Sequence, residues 1–357
     1  MLKQLFVNVR RMELCFHPSY FHIVRSKERV NRKKKEGYCE MAFNKFITNA
    51  SDLVTTHQAT RTGFLSIALE KNRISDPYVK TALSFKTMVT GVKKPDDLLT
   101  MPSIRPFLIS ASGLSDKSLN YLDEDDRTEA IKELIDKFLK PAGPEFVDEV
   151  VYRYLLIKGD SVGGTMRNRI GAIGEEKLIR CILSNLSVQG ISYDWCDGKP
   201  SYHWQKKPQN DAGLEQSIKA LHWKNANGER VLTFNMTIPL VGKNIDICLF
   251  NTDITGYDKG KIKNYPDKGL MFGELKSGID PAGADEHWKT GNTALQRIRK
   301  SFGDAGYSIQ TSFVGAAIEK SMAGEIYDQL TDGTLNNASN LHDVNQLNEY
   351  CNWVVSI

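Results

Sequence analysis

From Gly159 onward the sequence alternates between two periodicities, and that alternation limits the folds open to it. Runs rich in β-branched and aromatic residues read as strands: Ile191 to Trp195, Arg230 to Ile238, Asn244 to Phe250, Leu270 to Lys276 and Ser308 to Ile318. Between the last two, the segment from Pro281 to Phe302 places Ala284, Trp288, Leu295, Ile298 and Phe302 on one helical face. A further helix is predicted from Ser321 to Leu330. Strands interleaved with helices predict an α/β fold, a mixed sheet with helices on both faces. Residues 196–229 and 251–268 are polar and turn-rich and read as loops.

Residues 47–160 have a helical pattern throughout. Asp76-Pro77 reads as an N-cap followed by proline at the first helical position. Ile131, Leu134, Ile135, Phe138 and Leu139 make one apolar face within 125–140. Pro141-Ala-Gly-Pro144 ends that helix and starts another, which carries Phe146, Val150, Tyr154 and Ile157. Ser161-Val-Gly-Gly-Thr-Met-Arg-Asn168 reads as a glycine-containing loop entering a helix that runs to about Leu186. Arg167 and Arg169 then lie near a helix start, where phosphate binds readily, although a tight turn with solvated arginines explains them equally well. The expected division is a helical domain over 41–160 and an α/β domain over 161–357.

Composition removes several classes of function. Apolar residues make up 41% and recur at regular spacing, which excludes a mainly disordered chain. No stretch approaches the ~20 uncharged apolar residues that a membrane span needs. Six cysteines without CxxC spacing argue against a disulfide framework or a four-cysteine zinc site, and fit a reducing cytoplasm. The net charge of +4 conceals an asymmetry, because residues 1–40 carry ten Lys/Arg against four Glu. The remaining residues sum to −2, so a polyanion would have to meet cations concentrated in a groove. Residues 1–40 show no sustained period, and Lys35-Glu36-Gly37 is encodable by a ribosome-binding sequence just upstream of Met41. The expectation is that translation starts at Met41 and that 1–40 is an extension outside the native protein; a basic nucleic-acid-binding arm is the other reading.

Chemistry concentrates in two of the strands. Ile245, Ile247 and Leu249 share one strand face, leaving Asp246 on the other. Glu274 and Lys276 stand two apart in Leu270-Met-Phe-Gly-Glu-Leu-Lys276, again on a common face. Charges in apolar strands are costly unless paired or metal-bound. If the two strands are adjacent, Asp246, Glu274 and the backbone carbonyl of Leu275 form a hard oxygen site suited to Mg²⁺, with Lys276 balancing charge. A structural Glu–Lys pair on an edge strand is the plainer alternative. Asp280-Pro281 then starts the long helix, and His287 lies one turn in, placed to act as a general base or to pack as a hydrogen-bonded histidine. Lys289 meets phosphate or solvates the outer face.

The run Gly273-Glu-Leu-Lys-Ser-Gly-Ile-Asp-Pro-Ala-Gly-Ala-Asp-Glu-His-Trp-Lys-Thr290 closely resembles the AvaI/BsoBI type II restriction endonucleases. So do Ala111-Ser-Gly-Leu-Ser-Asp-Lys117, Lys158 through Asn168, and Phe313-Val-Gly-Ala-Ala-Ile-Glu-Lys-Ser-Met322. The resemblance covers about Phe46 to the C-terminus. It implies a homodimeric, Mg²⁺-dependent nuclease with the restriction-endonuclease-like PD-(D/E)xK mixed-sheet core and an added N-terminal helical domain that contacts double-stranded DNA. The implied target is C-Y-C-G-R-G, cut after the first C to leave a four-base 5′ overhang. Carried over, Asp246, Glu274, Lys276 and His287 are catalytic, with Asp246, Glu274 and the Leu275 carbonyl holding metal. Asp280 and Lys117 match base-contacting positions, and Arg167 and Lys289 are further candidates for DNA contact. Ile245 stands where the wider superfamily often has proline. A protecting DNA methyltransferase is the implied functional partner. A repair nuclease with the same chemistry, or a DNA-binding protein with a vestigial site, are the competing readings.

Overall fold

Among the described residues the eight strands are β1 (Tyr193–Cys196), β2 (Gln205–Lys206), β3 (Ala220–Asn225), β4 (Gly228–Ile238), β5 (Lys243–Asn251), β6 (Gly269–Lys276), β7 (Gln310–Gly315) and β8 (Asn337–Asn340). They form one sheet in the order β2-β1-β3-β4-β5-β6-β7-β8. Pairs from β2 through β6 are antiparallel, while β6, β7 and β8 run parallel. Parallel neighbours need crossovers. Ala284–Asp304 supplies the first, between β6 and β7, and Lys320–Asp332 the second, between β7 and β8. The computed structural model describes residues 43–198, 203–257 and 259–357; the expectations about 1–40 and the start at Met41 lie outside them.

The described helices of the N-terminal half are α1 (Ala50–Leu53), α2 (His57–Met88), α3 (Arg105–Ala111), α4 (Glu124–Leu134) and α5 (Phe146–Val188). The two crossovers are α6 (Ala284–Asp304) and α7 (Lys320–Asp332), and α8 (Val344–Ser356) closes the described chain. Trp288, Leu295, Ile298 and Phe302 of α6 and Met322 and Ile326 of α7 pack one face of the sheet. Leu178, Ile182 and Leu186 of α5 and Tyr350, Cys351 and Val354 of α8 pack the other. A third core joins Phe85, Phe107, Ile131, Leu134, Val150 and Tyr154 from α2 through the first turns of α5. Each apolar stripe is buried against a different partner, so the same chain supports a sheet with two covered faces and a separate helical cluster.

Several expectations need correction. Residues 161–168 are not a loop: α5 runs unbroken through them, and residues 160 and 161 are consecutive in one helix. Val162 and Met166 are buried one turn apart on either side of Gly163 and Gly164. Burial at helical spacing outweighs the ~1 kcal/mol that each glycine costs a helix interior. Arg167 and Arg169 are therefore mid-helix. Pro77 likewise lies inside α2 rather than at its start. Its lost hydrogen bond is tolerated at an exposed position because α2 is held on both sides, by Arg169 on Glu70 at 2.6 Å and by Phe85 in the third core. Residues 196–229 hold β2 and β3, the latter turning into β4 through the two residues Ala226-Asn227, a short hairpin that the polar surroundings mask. β8 and α8 were not anticipated. The predicted common face of Ile245, Ile247 and Leu249 also fails, for a reason that lies at the site.

Candidate active site

Asn235, at φ 53°, is the one non-glycine residue with left-handed backbone among those described. It sits in the middle of β4, where an extended conformation is expected. The effect shows in packing. Leu232 and Phe234 enter the core beneath α5 and α8, whereas Met236 and Ile238 enter the opposite core. In β5 the same reversal separates Ile245 from Ile247 and Leu249. The register pairs Phe234 with Ile247 and Met236 with Ile245, so Asn235 and Asp246 face each other at the reversal. Strand alternation is broken there on both strands, and Asp246 is left half-buried between faces instead of lying on one.

The β5–β6 ladder ends at Ile247 and Gly273, one step before Asp246 and Glu274. Past the ladder, the Leu275 N–H donates to Asp246 Oδ2 at 2.9 Å. The N–H and C=O of one strand residue point to the same side, so the Leu275 carbonyl also faces Asp246. The Lys276 ammonium donates to Asp246 Oδ2 at 3.1 Å and to Glu274 Oε2 at 2.6 Å. Two acids thus share one cation. Burial, and then the charge of Asp246, push the Glu274 carboxyl up to about 7. Burial opposes the charge on Lys276, yet Asp246 and Glu274 outweigh it and hold the ammonium above its ordinary range. The site therefore demands more positive charge than its own side chains supply. Among the described residues no three Asp, Glu, His or Cys side chains converge as a closed metal cage. Two carboxylates and a carbonyl, with remaining positions left to solvent and phosphate, fit the habit of Mg²⁺, which keeps several waters.

A cleft of about 660 Å³ opens over this centre, lined by Asp246, Leu275, Lys276, Gly278, His287 and Arg167 among others. Glu274 lies behind Lys276 with only 4% exposed, and does not line the cleft. The His287 ring rests on Gly278, where an added Cβ would come within 2.6 Å of its Cε1, so only glycine admits the ring there. Arg167 is exposed, lines the cleft and makes no ion pair among the described residues. Arg169 instead ties α5 to α2 through Glu70, and pairs with Glu176 of its own helix. Asp280 caps the turn Pro281–Gly283 through Oδ1, which accepts from Ala282 N–H at 3.0 Å. Lys117 stands exposed on a turn between α3 and α4, outside this cleft. Lys289 is also outside it, its ammonium 2.5 Å from Asp285.

Three cleft residues escaped the sequence reading: Glu175, Lys219 and Asn235. The Glu175 carboxyl is raised above its usual range, mainly by burial. Its position in Glu175-Glu-Lys177 resembles a solvated charge run, so no signal singled it out.

The profile of the family described as Restriction endonuclease BsobI matches residues 43–357. Type II restriction enzyme BsoBI of Geobacillus stearothermophilus is 48% identical over 317 residues, covering 88% of this chain and 98% of that protein. Type II restriction enzyme AvaI of Nostoc sp. and that of Anabaena variabilis are each 46% identical over 317 residues, covering 89% of this chain and all of theirs. With this coverage, the chain belongs to the BsoBI family of type II restriction endonucleases.

Proposed function

We propose that this protein hydrolyses phosphodiester bonds in double-stranded DNA at a specific sequence, as a homodimer requiring Mg²⁺. The observation that carries the reading is the single Lys276 ammonium shared by Asp246 and Glu274 at the edge of an open cleft. Asp246, Glu274 and the Leu275 carbonyl would hold a divalent cation, which would supply Lewis-acid polarisation of the scissile phosphate and a more acidic water. Lys276 balances the charge that develops on the phosphate oxygens. The His287 ring, free of hydrogen-bond partners among the described residues, accepts the proton of the attacking water. Asp280 keeps Oδ2 free of its cap to accept from a cytosine amino group, and Lys117 donates to purine acceptors in the major groove. Arg167 meets a backbone phosphate, which positions the duplex without reading it.

Two equivalent subunits reading one palindrome fit a target of the form C-Y-C-G-R-G, cut after the first C. A cell that makes such an enzyme protects its own sites with a DNA methyltransferase. No described helix is long and apolar enough to cross a membrane, and the proposed location is the cytoplasm. Digestion of a sequenced plasmid with Mg²⁺ and with EDTA, followed by end mapping, is the test. Discrete fragments with four-base 5′ overhangs are expected. Cutting confined to junctions or flaps would replace this reading with a structure-selective nuclease. Asp246→Asn and Lys276→Ala are each expected to slow cutting about 100- to 1000-fold, with DNA binding in EDTA retained.

A further inference from the structure

The break in strand alternation at Asn235 and the carboxylate of Glu175 are two halves of one device. Left-handed backbone in a non-glycine residue costs free energy, and asparagine tolerates it better than most. Here it reverses β4 at the position facing Asp246. It also turns the Asn235 amide toward α5, where Nδ2 donates to Glu175 Oε2 at 2.5 Å. Lys219 lies 3.7 Å from the other oxygen, Oε1, beyond a tight hydrogen bond. One carboxylate oxygen is thus held by the amide, and the other, in a looser ion pair with Lys219, belongs to the cleft that Glu175 shares with Asp246 and Lys276.

We infer that Glu175 is a third acid of the active centre, acting on the divalent cation through water, and that Asn235 is the positioning residue that aims it. The inference rests on the metal-dependent reading of Asp246 and Glu274. Water mediation agrees with the hydration that Mg²⁺ retains. Asn235 acts twice: its backbone sets Asp246 between the sheet faces, and its amide orients Glu175. A residue there only to shape the strand would need no hydrogen bond to a helix that crosses from another part of the fold.

The test uses the full chain and Mn²⁺ alone, with binding read by the loss of the free-ion paramagnetic resonance signal. Plasmid cutting is then titrated with Mg²⁺. Glu175→Gln is expected to weaken Mn²⁺ binding about 10- to 100-fold, the range for groups that act on a metal from outside its ligand ring. Asn235→Gly keeps the left-handed backbone and removes only the amide. It should weaken Mn²⁺ binding in the same direction and shift the Mg²⁺ requirement upward, with cutting restored at high Mg²⁺. A purely structural role would lower the folded fraction without moving that requirement. Wild-type Mn²⁺ affinity and Mg²⁺ dependence in both variants would overturn the proposal while leaving the site reading intact, provided Asp246→Asn abolishes uptake. Failure of the wild type to bind Mn²⁺, or unchanged binding in Asp246→Asn, would overturn the site reading and this proposal with it.

Discussion

Glu274 is the residue whose chemistry is most exposed to test. Its carboxyl, pushed up to about 7 by burial and by Asp246, holds a proton in the folded protein that the unfolded chain releases at lower pH. Between about pH 5 and 8 the metal-free folded state therefore binds more protons than the unfolded one, and stability falls as pH rises. Glu274→Gln removes that dependence. In EDTA, the melting temperature of the variant relative to wild type should climb as pH is raised across this window; a constant difference would refute the assignment. The same proton must leave when a cation binds, so Mn²⁺ affinity should rise with pH over the same range. Asp246, Glu274 and Lys276 stand out in the sequence as charged residues in apolar strands and His287 as a histidine one turn into the following helix, but it is the longer run Gly273 to Thr290 that lifts them above a structural pair and a packing histidine. Asn235 and Glu175 were not, because one is distinguished only by its backbone angle and the other only by what α5 faces.

At the level of elements, the long helices and the central strands were legible from periodicity, and the failures share a cause. Glycines, a proline and polar surroundings suggest boundaries in the sequence, yet tertiary burial carries α5 through Gly163 and Gly164 and α2 through Pro77. β8 is four residues, Asn337–Asn340, all buried and three of them polar, a pattern with no strand signature. α5 approaches the end of β6 at Gly174, where an added Cβ would fall inside the van der Waals shell of Ser277 Oγ. Gly174→Ala should gain about 1 kcal/mol of helix propensity and lose about 1–3 kcal/mol to overpacking, a net destabilisation. Ser277→Gly in the same chain should recover the loss, as a double-mutant cycle by denaturant unfolding would show; additive effects would mean the two elements do not press on each other.

For the whole molecule, charge is a matter of placement. The net +4 is small, so DNA affinity depends on cations held where the duplex lies. Arg167 lines the cleft without a carboxylate partner among the described residues, whereas Lys289 is already paired with Asp285. Arg167→Ala should reduce the slope of log affinity against log salt by about 0.9, and Lys289→Ala should change it less. Equal effects of the two would show that the cleft is not where phosphate is met. One feature joins the parts of this molecule. α5 begins in the helical core at Phe146, and 29 residues on, without a break, it bears Glu175. Three residues further on, Leu178 seats the same helix in the core against the sheet. The helix is thus a strut clamped at both ends, and a substitution that loosens the helical cluster is expected to be felt at Glu175.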